Sequence, residues 1–257
     1  MPDSTVHPPD SAFRPKVHAC LANWPYRRSM KAPTKILVVT ALVGFALGTA
    51  RGAERYDYTV RQDVFAGLNG DRAALDRASA KIAATLADEP NHAEALVWRG
   101  GIRFFQSGQA FQAQDRQRGV ELYTQAMIDF EKAVQLAPDN LGVRIPRAAV
   151  LMTAANASAG NPMAKDWASM AVSDYEHVRA LQEPRIATLG THPRGELLQG
   201  LANGYRLLGD EANAARYFAR LQRELPGTEY AKRATLWLET KSLTPGQTSC
   251  IGCHTGR

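Results

Sequence analysis

Three well-marked motifs are missing from this chain: a glycine-rich phosphate loop, a His-Glu-x-x-His pattern and a Gly-x-Ser-x-Gly elbow. Their absence removes the most recognisable routes to nucleotide hydrolysis, zinc proteolysis and serine hydrolase chemistry. A surplus of one charge is missing as well. The 257 residues carry 31 basic and 25 acidic side chains, a net charge of +6, but residues 1–50 hold six of the basic and two of the acidic ones. The remaining 25 basic and 23 acidic groups leave +2, which gives no support for nucleic-acid binding. The longest apolar run, from Ile36 to Gly48 with Thr40 as its one interruption, falls short of the roughly 20 residues that span a bilayer. Cysteine is scarce, with three residues.

That apolar run has the surroundings of a secretory leader. Lys31 and Lys35 precede it, and small residues follow at Gly48, Ala50, Gly52 and Ala53, so residues 30–53 are expected to be a cleaved signal peptide. Residues 1–29 are rich in Pro and polar side chains and lack periodicity. They are expected to be an N-terminal extension, with Met30 as the start. Arg27 and Arg28 raise a rival twin-arginine leader, though the motif around them is incomplete. The leader is the chain's expected membrane contact, and only if uncleaved. The expected compartment is the periplasm.

Two of the cysteines close the sequence in a run of their own: Cys250, Ile251, Gly252, Cys253, His254. This C-x-x-C-H spacing is the attachment sequence of c-type haem. Two thiols three residues apart reach the two vinyl groups of one porphyrin, and the adjoining imidazole ligates the iron from below. Cys250 and Cys253 are therefore expected to form thioethers and His254 to be the proximal ligand of one covalent haem c. Zinc would need a second close pair of Cys or His, and the third cysteine, Cys20, lies far away in the extension. A thioredoxin-like dithiol would need a βαβ context that the chain lacks. Export and the motif support each other, because an oxidising envelope is where c-type haem is attached and where a free dithiol does not persist unaided. A disulfide or thiol pair remains the alternative.

Candidates for a sixth ligand are numerous. Met163, beside Pro162, and His192, beside Pro193, are expected in loops, off any apolar helix face, and are the preferred two. A five-coordinate iron is the other possibility, and it would suit a haem enzyme or gas sensor.

Between leader and tail the chain repeats itself. Leu198, Leu201, Ala202, Tyr205, Gly209, Ala214, Phe218, Leu221 and Pro226 place bulky residues on one helix, a Gly turn, a small residue and an aromatic on a second helix, then Pro. Ala126, Phe130, Ala133 and Pro138 repeat the second half, and Ala78, Ile82, Thr85 and Pro90 do so more weakly. Ala87-Asp88-Glu89-Pro90-Asn91 and Leu136-Ala137-Pro138-Asp139-Asn140 read as one boundary written twice. This spacing resembles the tetratricopeptide repeat (TPR) family over most of residues 54–240. The resemblance implies an all-α fold, a short helical solenoid of about three to four helix-turn-helix repeats, and a concave face that binds a protein partner.

Two stretches break the period: a polar insert at about Gln109 to Gly119, and Ala157 to Met163. Both are expected to be loops that touch a partner or the haem. Pro146 falls early in a first helix. Trp98, Phe104, Phe130, Tyr175, Tyr205, Phe218 and Trp237 are expected to be packing residues, and the stretch from Arg216 to Arg223 the wet face of a helix. Tyr230 to Glu239 reads as a terminal helix, after which residues 241–257 form a haem-bearing tail. The whole is expected to be an electron-transfer or docking subunit with a redox partner, not an enzyme; a haem-free interaction scaffold is the alternative.

Overall fold

In the computed structural model, residues 55–158 and 160–243 are described. The extension, the leader and the Cys250–His254 run lie outside these residues. Among the described residues the fold is all-α, with no strand. Nine α-helices follow one another: α1 (Asp57–Leu68), α2 (Arg72–Asp88), α3 (Ala93–Gln112), α4 (Arg116–Leu136), α5 (Leu141–Ala157), α6 (Ala164–Gln182), α7 (Thr191–Leu208), α8 (Glu211–Glu224) and α9 (Glu229–Thr240). A 3₁₀ turn, Glu183–Thr188, bridges α6 and α7.

The helices pair as hairpins, α1 with α2, α3 with α4, α5 with α6 and α7 with α8, while α9 packs on α8. Three of the four hairpin tips are the same turn. At Gly70, Gln114 and Gly209 the backbone takes a positive φ of 107°, 63° and 82°. The following residue is Asp each time. Its N–H reaches back to the carbonyl of Ala66, Ala110 or Tyr205, closing the first helix in a left-handed cap. Its carboxylate then accepts the N–H of Ala74, Arg118 or Asn213 and so caps the second helix. One aspartate thus ends one helix and starts the next.

The returns between hairpins are also repeated. Glu89, Ala137 and Leu225 each donate to the carbonyl four residues back, and His92, Asn140 and Thr228 donate to the carbonyls of those same three residues. His92, Asn140 and Thr228 then cap α3, α5 and α9 with their side chains. Short tips and short returns force the chain to reverse at every helix, so α1, α3, α5, α7 and α9 all run the same way. These first helices contact in series, α1 with α3, α3 with α5 and α5 with α7, and the second helix of each hairpin abuts the first of the next.

The paired helices meet through small residues beneath rings. A side-chain carbon added at Gly100 would stand 2.7 Å from the Phe130 ring, and one at Gly200 would stand 2.5 Å from the Tyr175 ring. Ala126, Ala133, Ala202 and Ala214 are wholly buried along the same contacts. Two carboxylates are buried there too. Asp174, at 0 % exposure, accepts from Arg144 at 2.6 Å and from both Nε and Nη2 of Arg147 at 2.6 Å. Asp129 in the preceding hairpin takes the equivalent load from Arg99 and Arg103.

Two sequence expectations change. The polar stretch from Gln109 to Gly119 is not a loop: α3 continues to Gln112 and α4 begins at Arg116. Gln, Ala and Arg favour helix, and lengthening both arms together preserves the pairing of an antiparallel hairpin, so the extra residues project the tip outward. Arg220 does not belong to a wet face, because it is mostly buried between Glu183 and Glu224. Pro146 lies in the second turn of α5, where it removes the N–H that would bond the Gly142 carbonyl, and the helix continues through it. α5 ends at Ala157 and α6 begins at Ala164.

Gln114 holds a conformation that costs an L-residue about 1–2 kcal/mol. Gln114→Gly is expected to raise stability by about 1 kcal/mol in urea unfolding. Asp174→Ala is expected to cost about 3–5 kcal/mol, because it strands two guanidinium groups in the core.

Candidate functional site

Alternation of direction gives the stack two edges. The four hairpin tips share one edge, and the returns share the other. The C-terminal ends of α3, α5, α7 and α9 belong to the tip edge. Lys241, just past α9, confirms this placement: its ammonium lies 3.1 Å from Glu211 in the first turn of α8 and 4.3 Å from the Trp237 ring. The chain therefore leaves the described fold at the tip edge.

A cavity of about 410 Å³ opens at that edge, within the range of roughly 300–1,000 Å³ usual for ligand pockets. Its walls are the last turns of α3 and α5. Phe104, Phe105 and Phe111 come from α3, Tyr123 from α4, Trp167 from α6 and Leu68 from α1. Phe104 and Trp167 meet edge to face with centroids 5.4 Å apart, and the Trp167 indole N–H donates to the Tyr123 hydroxyl at 3.2 Å. That bond ties α6 to α4 and satisfies the indole N–H. Phe111 is 42 % exposed; its inner side rests on Gly119, where a side-chain carbon would approach the ring to 2.7 Å. Gly108 faces open space. The polar lining is uncharged, from Ser107, Gln109, Gln112, Thr153 and Ser158.

This pocket exists because α3 and α4 overshoot. Sequence reasoning treated Phe104 as packing and passed over Phe105, Phe111 and Trp167. The available signal was Phe111, a large apolar residue inside an otherwise polar stretch.

The two candidate sixth ligands are placed at opposite edges. Met163 caps the start of α6 at the tip edge, one turn ahead of Trp167, whose backbone N–H donates to the Met163 carbonyl at 3.0 Å. It is 38 % exposed. His192 is not in a loop. It sits in the first turn of α7 at the return edge, with Nδ1 3.1 Å from the Tyr230 hydroxyl and Nε2 3.6 Å from Glu196. Cys250, Cys253 and His254 lie outside the described residues, so the structure brings neither candidate to them. Among the described residues no cluster of three or more His, Cys, Asp or Glu side chains could hold a metal ion, and no helix is long and apolar enough to cross a membrane.

The strongest electrostatic cluster lies elsewhere, across α6, α7 and α8. Tyr217 and Tyr205 donate to Glu176 at 2.5 and 3.1 Å, and Arg179 donates to its other oxygen at 2.7 Å. Glu183 accepts from Arg179 and Arg220. Burial raises the Glu176 and Glu183 carboxyls, but these hydrogen bonds and guanidinium charges outweigh it and hold both below their ordinary value of 4.5. Burial, then the bond to Glu176, pushes the Tyr217 hydroxyl upward. The cluster is fully paired, and its groups tie three helices together.

No family model matches the chain, and no curated protein or solved structure matches it.

Because the folded carboxyls are held low, the stability they contribute is present above 4.5 and is lost as pH falls through the lowered values. Urea midpoints are expected to drop on acidification below pH 4.5. In Glu176→Gln that drop is expected to be smaller, on a lower starting stability.

Proposed function

We propose that this protein is an exported TPR-like solenoid carrying one covalent haem c on its C-terminal tail, and that it serves an envelope redox complex as an electron-transfer or docking subunit. The observation that carries the reading is the Cys250-Ile251-Gly252-Cys253-His254 run, placed after a stack of helical hairpins and behind a secretory leader. The stack supports the solenoid part: three of the four hairpins share one tip turn, three returns share one hydrogen-bond pattern, and each hairpin packs on the next.

The donor set suits haem c. The Sγ–H of Cys250 and of Cys253 each add across one vinyl double bond, sulfur to one carbon and hydrogen to the other, with no net oxidation. His254 supplies a neutral imidazole nitrogen. When bound, the group supplies one-electron exchange at its iron. The described residues fit such a group as well, since a porphyrin edge needs apolar cover and the fold holds an aromatic cavity on the edge from which the tail departs.

The remaining roles fall to the chain itself. The first helices of the hairpins offer a concave protein-binding face, as the resemblance implies, and the haem edge meets a redox partner. The periplasm is the compartment that suits both the leader and the thioether chemistry.

The test is expression from Met30 together with c-type maturation machinery, read by pyridine haemochrome and a haem-stained denaturing gel. One haem per chain is expected, and Cys250→Ala/Cys253→Ala is expected to abolish it. Absence of covalent haem in the parent chain would refute the reading and leave the haem-free scaffold.

A further inference from the structure

We infer that the aromatic cavity between α3 and α5 is the intramolecular resting site of the haem-bearing tail, so that the chain covers its own haem. This rests on the haem c reading above.

Three observations converge on that occupant. The first is location. The cavity lies at the C-terminal ends of α3 and α5, and α9 runs parallel to both and delivers Lys241 to the same edge, beside Glu211. An occupant arriving from the return edge would have to cross the length of a helix; the tail does not.

The second is reach. α9 packs on α8, α8 pairs with α7, and α7 contacts α5; with helices about 8–10 Å apart, α5 stands on the order of 20 Å from α9. Leu243 still packs on the core. The seven residues from there to Cys250 extend at most to about 24 Å. The linker is long enough to bring the porphyrin to the cavity and too short to carry it to the far end of the stack.

The third is chemistry. A porphyrin presents a broad apolar face and two carboxylates on one side. The cavity offers Phe104, Phe105, Phe111 and Trp167 for the face, an uncharged lining, and solvent at its mouth. Arg116 opens α4 at the same tip, where an anionic edge would emerge. Met163, one turn ahead of Trp167, is the thioether nearest this edge, whereas His192 is excluded by its position at the return edge. Closure over this site sets how much of the iron's surroundings is water, and hence its potential.

The experiment compares the haem-loaded chain with Cys250→Ala/Cys253→Ala by amide hydrogen exchange, with haem content measured on the same samples. Residues 107–112 and 153–158 are expected to exchange about tenfold more slowly in the loaded chain. Gly108 lines the cavity and a side-chain carbon there meets nothing within 4 Å, so Gly108→Leu adds apolar bulk at the cavity wall. It is expected to keep full covalent haem and unchanged helicity while losing the protection and weakening the Soret circular dichroism. Equal exchange at these segments with haem present, or an unaffected Gly108→Leu chain, overturns the inference alone. Protection that disappears on dilution assigns the cavity to a second copy and overturns it too. A parent chain without covalent haem refutes the underlying reading instead, which the haemochrome reports separately.

Discussion

The hairpin tip is the constraint from which the rest of the structure follows. A residue at positive φ followed by Asp closes one helix and caps the next within three residues, leaving no slack for the two helices to diverge. Repeated at Gly70-Asp71, Gln114-Asp115 and Gly209-Asp210, the turn makes every second helix run back along its predecessor. All odd-numbered helices therefore end on one edge, and that edge holds the cavity, Met163 and the departure point of the tail.

Packing turns this directional rule into a stable stack. Gly100 lies under Phe130 and Gly200 under Tyr175, which lets helix axes approach closely and buries rings that are too large for a looser contact. The buried carboxylates in these interfaces are paired. Asp129 and Asp174 each gather two arginines from the first helix of their own hairpin, and Glu176 gathers two tyrosines and an arginine from three helices. These groups are costly to strand and so lock neighbouring helices in register. At Glu176 the same bonds hold the carboxyl below its ordinary value.

The central hairpin departs from its neighbours with consequence. Its arms are 20 and 21 residues long, against 18 and 14 in the α7–α8 hairpin. The surplus projects Phe111 and the turns around it beyond the stack, and the flank of α5 completes a pocket that uniform repeats would not leave. The asymmetry thus leaves an apolar cavity on the edge where Lys241 ends α9.

Much of this was legible in the residues. The spacing from Leu198 to Pro226 marks two helices and their turn because each position has a local cause: a face, a left-handed cap, a stop. The all-α class followed from such local rules. The polar stretch at Gln109 to Gly119 was misread because polarity describes solvent exposure, and an exposed helix tip is as polar as a loop. His192 was placed in a loop on the strength of its neighbouring proline, which in the structure occupies the first turn of α7, where proline is tolerated. Arg220 was read as solvated because its partners, Glu183 and Glu224, are assembled from two elements. The sequence by itself determined what each segment is, since caps, turns and periodicity act within a few residues. Tertiary structure alone decided what stands beside what: the cavity, the carboxylate clusters, and the separation of Met163 from His192 arise only when helices distant in the chain are packed side by side.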